Sequence, residues 1–146
     1  MTIHLPAGIP MRLDGGVGVP VGSAFAWPQA PGLPPLDRIP DPAAPHFRPF
    51  AAKIFTAKDA VSEVSISATD GSESLALSWD TSTAPYLGLW LNCRGWSGCG
   101  GAPYFNLGVE PATAPFDDLG AAMHDGSGRR LAPGETRAWS LTVELR

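Results

Sequence analysis

From Val61 onward the apolar and polar positions alternate with the two-residue period of strands. Val64-Ser65-Ile66-Ser67 and Leu75-Ala76-Leu77-Ser78-Trp79 each set apolar residues against small polar ones. Thr69-Asp70-Gly71-Ser72 lies between them, and Asp-Gly reaches the backbone angles that a tight hairpin needs. The pattern predicts a β-hairpin. Tyr86 to Asn92 predicts a further strand, with Leu87, Leu89 and Leu91 on one face and Trp90 and Asn92 on the other. Pro103 to Val109 is a shorter extended run that ends at Glu110-Pro111. Arg137 to Leu145 predicts a last strand, with Trp139, Leu141, Val143 and Leu145 on one face and Ser140, Thr142 and Glu144 on the other. Before it, Leu131-Ala132-Pro133-Gly134-Glu135 has Pro and Gly in the order of a type II turn. No stretch carries a helical period of useful length. The chain reads as an all-β sandwich-type domain, or half of one.

The first third of the chain changes this picture. Residues 1–50 hold eleven of the 16 prolines and six charged residues, which rules out long helices there. The expected division is a Pro-rich segment, 1–50, wrapping or flanking the core, and a β-sandwich domain, 51–146.

Charge narrows the partners. A net charge of −4 argues against nucleic acid, which needs a basic face to neutralise phosphates. The adjacent pair Arg129-Arg130 stands in a Gly/Ser turn. No apolar run reaches the roughly 20 residues of a bilayer-spanning helix, so no membrane partner is expected. The start, Met-Thr-Ile-His-Leu-Pro, lacks the charged and apolar regions of a signal peptide; a cytoplasmic location is the expectation. Cys93 and Cys99 cannot complete a structural zinc site, so neither metal nor cofactor is expected. The two thiols either close a small loop in an oxidising compartment or stay free in a reducing one.

The candidate chemistry is sparse. His4, His46 and His124 are far apart in sequence, the Gly-rich Ser97–Gly101 stretch lacks the Lys-Ser/Thr of a phosphate loop, and Asp117-Asp118 reads as a turn. Glu110 stands at the end of an apolar strand with a rigid proline exit. It is either an exposed strand-end carboxylate or a partly desolvated one suited to proton transfer. Trp90 is either the wall of a site or a ring packed under a loop.

The succession of Leu87-Gly88-Leu89-Trp90-Leu91-Asn92, Asn106-Leu107-Gly108-Val109-Glu110-Pro111, Pro115-Phe116-Asp117-Asp118-Leu119 and Leu131-Ala132-Pro133-Gly134-Glu135-Thr136, closed by an alternating strand, resembles the C-terminal half of the galactose-mutarotase-like superfamily, to which the aldose 1-epimerases belong. The resemblance covers residues 87–146 and implies part of a galactose-mutarotase-like β-sandwich acting on or binding a hexose. Glu110 falls on that family's general base, which takes the anomeric proton while a histidine protonates the ring oxygen. The resemblance also makes Trp90, Asn92, Arg94 and Trp96 candidates for a sugar-facing wall, although Trp96 reads equally as a loop ring folded on the sheet. Family members are about twice this length, and their acid histidine would precede Met1; none of His4, His46 or His124 falls on its position. Three readings follow: an isomerase, a carbohydrate-binding module without catalysis, or a structural fragment. A half-sandwich would also leave strand edges and part of the Leu75/Leu77/Trp79 row open to self-association.

Overall fold

The computed structural model describes residues 1–17, 19–98 and 100–146, so Cys99 and any pairing it makes lie outside the described residues. Among the described residues nine strands form two antiparallel sheets. The four-stranded sheet has the order β1 (Thr2–His4), β5 (Glu63–Ser67), β6 (Ser74–Trp79), β9 (Leu141–Leu145). The five-stranded sheet has the order β3 (Ala24–Ala26), β2 (Pro10–Val17), β4 (Phe50–Thr56), β7 (Tyr86–Cys93), β8 (Phe105–Ala112). One core joins them: Ile3, Val64, Leu77 and Trp79 from the first sheet meet Met11, Leu13, Ile54, Leu87, Leu89 and Leu91 from the second. The expected all-β class is what the chain adopts.

The hairpin β5–β6 forms as its pattern predicts. Asp70 accepts a hydrogen bond from the Ser72 amide at 3.0 Å, and Gly71 takes a positive φ of 73°. The turn before the last strand also follows its sequence, with Gly134 at φ 78° and the Glu135 amide donating to the Ala132 carbonyl. Strand β8 runs two residues beyond Glu110. Pro111 is accommodated because β8 is an edge strand, where a missing donor costs no ladder bond.

Residues 1–50 depart from expectation. They do not merely wrap or flank a core built by 51–146. Strand β1 pairs with β5, and β2 lies between β3 and β4 inside the larger sheet. Ile3, Ile9, Met11, Leu13, Trp27 and Leu36 are core residues. The prolines fall mainly in the connections between these short strands, where they break no ladder. Local composition thus concealed strands that place Ile3, Met11 and Leu13 in the core.

Two further features depart from the sequence reading. Asp117-Asp118 is not a simple turn, because Asp118 caps a short helix, α1 (Leu119–Asp125), by accepting from the Ala121 amide at 2.6 Å. Gly126, at φ 81°, ends it. Of the Leu75/Leu77/Trp79 row, part of which is expected to lie open, Leu75 is half-buried while Leu77 and Trp79 are buried. The open apolar row belongs to the next strand, β9, whose five residues are all exposed.

Position relative to the core should therefore govern stability. Leu89→Ala, deep in the shared core, is expected to cost about 2–5 kcal/mol. Leu145→Ala, at 86 % exposure, should change stability by no more than about 0.5 kcal/mol. Urea unfolding of the two variants measures the contrast.

Burial also pushes the Cys93 thiol up to about 11 from an ordinary value of 9.0. Its neutral form is the one the fold holds, so this contribution to stability is full below pH 9 and is lost as pH rises through 11. Alkylation at pH 8 followed by peptide mapping should find Cys93 unmodified until the chain unfolds.

Candidate functional site

The pleat of β7 decides which side chains share a surface. Leu87, Leu89, Leu91 and Cys93 point into the core, which leaves Tyr86, Gly88, Trp90 and Asn92 on the outer face of the five-stranded sheet. Register adds Ala51, Lys53 and Phe55 from β4 on one side. It adds Asn106, Gly108 and Glu110 from β8 on the other.

At the centre of this face lies Lys53, the one charged residue of β4, its side chain only 6 % exposed. Its ammonium donates a hydrogen bond to Glu110 Oε2 and stands 3.3 Å from Asp117 Oδ1. A nearly buried ammonium needs such partners, since an unpaired one would carry a large desolvation penalty. The two carboxylates are open to solvent, Glu110 at 47 %. Room for the cluster comes from glycines. A Cβ at position 108 would lie 2.8 Å from Glu110 Oε1 and 3.2 Å from the Trp90 Cβ. At Gly88 it would meet the Phe55 ring at 2.8 Å. Glu110 therefore folds back over Gly108, beside Trp90.

Strand β2 extends the cluster through a bulge. The register with β4 shifts between Leu13 and Gly15, so Asp14 is an extra residue on the strand. Asp14 accepts from Arg12 at 2.8 Å and from the Asp117 amide at 3.0 Å, tying the loop after β8 to β2. The Arg12 guanidinium stacks 4.0 Å over Phe116. Beside it a cleft of about 300 Å³ is lined by Arg12, Phe55, Tyr86, Phe116 and Asp125, among others. Burial, then the negative charges of Asp125 and Asp59, push the Tyr86 phenol above its ordinary value, so it stays a neutral donor.

Aromatic rings cover the other end. Trp96 meets Trp90 edge-on at 5.7 Å and Tyr104 at 6.1 Å. Trp90 is partly covered, whereas Trp96 and Tyr104 are exposed. The loop that carries Trp96 is held from beneath by Asn92. Its Oδ1 accepts from the Gly95 and Trp96 amides at 3.1 Å, and its Nδ2 donates to the Trp96 carbonyl at 2.9 Å.

The sequence candidates thus separate. Glu110, Trp90 and Trp96 share the outer face. Asn92 does not reach it as a ligand group, because its amide is fully buried and bonded to the loop backbone. It positions Trp96 instead. Arg94 also leaves the cluster: at φ 56°, it carries its guanidinium to 5.8 Å over Phe105. That ring belongs to the core side, where it packs on Phe47. His4 bonds Ser67 on the other sheet at 2.8 Å, and His46 and His124 are exposed. Among the described residues no group of His, Cys, Asp and Glu is placed to hold a metal ion, and no helix is long and apolar enough to cross a membrane.

Sequence reasoning did not single out Lys53, Arg12, Asp14, Tyr104 or Asn106. Lys53 had a signal, as the lone charge in the run Phe50-Ala51-Ala52-Lys53-Ile54-Phe55-Thr56. The others had none, because their meeting depends on sheet order and the bulge. No protein-family model, curated protein or solved structure matches this chain.

Asn92→Ala removes three hydrogen bonds and leaves two loop amides without a side-chain acceptor. It should cost about 2–3 kcal/mol and release Trp96 from its edge contact with Trp90. Loss of near-ultraviolet circular dichroism without loss of strand signal would register the second effect.

Proposed function

We propose that the outer face of the five-stranded sheet binds a hexose without changing it. The observation that carries this reading is the exposed Trp96–Tyr104 pair on the same face as the half-exposed Glu110. Aromatic faces suit the C–H surface of a pyranose, and a carboxylate with spare lone pairs suits its hydroxyls. Asn106, exposed across from Asn92 in the register, supplies an amide beside the rings. The resemblance of residues 87–146 to the aldose 1-epimerases points to the same class of ligand. A cytoplasmic location belongs to this reading.

A second reading, anomer interconversion with Glu110 as general base, is favoured by the accessibility of that carboxylate. It needs a proton donor on the opposite side of the sugar ring, and the cation in contact with Glu110 is Lys53 on the same side. The face thus has recognition groups without the opposed acid and base.

Titration calorimetry with glucose and galactose tests binding, and Trp96→Ala should weaken it about tenfold or more. Polarimetry separates the two readings. Binding alone predicts anomer interconversion at the buffer rate. The isomerase reading instead predicts an acceleration that Glu110→Gln lowers by about 10²–10⁴. No heat and no Trp96 dependence with either sugar would discard the hexose assignment.

A further inference from the structure

The sequence carries one adjacent basic pair, Arg129-Arg130, and the sugar-facing surface uses neither residue. The fold separates the two. Arg129 lines a cleft of about 500 Å³ together with Arg137, Trp139, Leu131, Thr83 and Thr113, whereas Arg130 does not. The cleft lies between the β6–β7 loop, the exit of β8 and the segment that leads into β9. Its volume is that of a small-ligand site, and among the described residues no carboxylate lines it.

Neither guanidinium is saturated within the chain. Among the described residues Arg129 enters no ion pair. Arg137 uses only its Nε, which donates to Glu135 Oε1 at 2.9 Å, so its terminal nitrogens keep their donors. Both residues are nevertheless held in place. Glu135 also accepts from the Ala132 amide at 2.8 Å, which ties Arg137 to the turn before β9. Ahead of Arg129, the Gly128 amide donates to the Ala122 carbonyl at 2.8 Å, and a Cβ at 128 would lie 2.6 Å from Met123 Sδ. Two cations lining one cleft repel each other, and an anion between them removes that repulsion.

We propose that this cleft binds a small ring-bearing organic anion, its carboxylate or phosphate held by Arg129 and Arg137 and its ring laid on Trp139. Guanidinium forks match the paired oxygens of either head group. Trp139 is 75 % and Leu131 60 % exposed, so the same cleft offers an aromatic face and an aliphatic side chain to an apolar ring. A bare inorganic anion would leave that surface unused, and a neutral ring would leave the arginines unpaired. The site shares no residue with the sugar-facing surface.

Titration calorimetry with phenyl phosphate and benzoate, up to about 10 mM, tests the cleft. Inorganic phosphate carries the charge without the ring, and benzyl alcohol the ring without the charge. At least one aryl anion should bind about tenfold more tightly than both partial probes, and the order of the two names the head group. Arg129→Gln and Arg137→Gln should each weaken that anion about tenfold. Trp139→Ala should weaken it about fivefold while leaving inorganic phosphate within about twofold. Arg130→Gln removes the same charge outside the cleft and should leave binding within about twofold. Trp96→Ala should leave it unchanged, so the cleft and the sugar-facing surface stand or fall separately. No heat with either aryl anion, a loss in Arg130→Gln as large as in Arg129→Gln, or inorganic phosphate bound as tightly as phenyl phosphate would each overturn the proposal.

Discussion

One buried ammonium governs how the larger sheet is assembled. Strand β4 is buried along its whole length, and it carries a lysine in its middle. Burying Lys53 is tolerable only if carboxylates meet it where the strand faces outward. Glu110 comes from the edge strand β8, two strands away, and Asp117 from the loop beyond it. That requirement ties strand order, loop path and local composition together. Gly108 must lack a side chain so that Glu110 can lie over it, and Gly88 must lack one so that the Phe55 ring can lie beside the lysine stem. The bulge at Asp14 then anchors the loop that delivers Asp117.

The same arrangement leaves a usable surface. With Lys53 paired from within, the Glu110 side chain stays 47 % exposed, and the rings of Trp96 and Tyr104 stand at the end of the same face. Asn92 links stability to that surface: a buried amide under the sheet end fixes the loop that presents Trp96. A surface on a rigid sheet, with its loop pinned by three hydrogen bonds, would need little ordering on binding, which is what the proposed sugar recognition calls for.

The two sheets are used unequally. The larger one is covered on its inner face and carries the polar and aromatic groups on its outer face. The smaller one ends in β9, whose backbone pairs with β6 but whose apolar side chains extend beyond the core. Hydrogen bonding has completed a strand that burial has not. This mismatch leaves Leu141, Val143 and Leu145 exposed together on one side of β9.

By itself the sequence determined the class of fold and much of its strand content. Two-residue alternation in Val64–Ser67, Leu75–Trp79, Tyr86–Asn92 and Arg137–Leu145 is a local property of the pleat, although the last run forms a strand only over Leu141–Leu145, where β6 is there to pair with it, and the turns at Asp70-Gly71 and Pro133-Gly134 follow from backbone preferences of single residues. Strand parity also put Trp90 and Asn92 on the face of β7 opposite its leucines, whereas the grouping of Glu110 and Trp96 with them rested on the resemblance alone. Tertiary structure alone decided what those residues meet. Lys53 is far from Glu110 in sequence, Asp117 reaches the same ammonium only because its loop folds back, and Arg94 left the surface through a single positive φ. Asn92 has the right parity for the site, yet the loop above it takes both ends of its amide. The same limit explains Ile3, Met11 and Leu13, whose place in the core was hidden by surrounding prolines. It explains β9 as well: periodicity says which side chains of a strand are apolar, but only the extent of the opposing sheet decides whether they are buried.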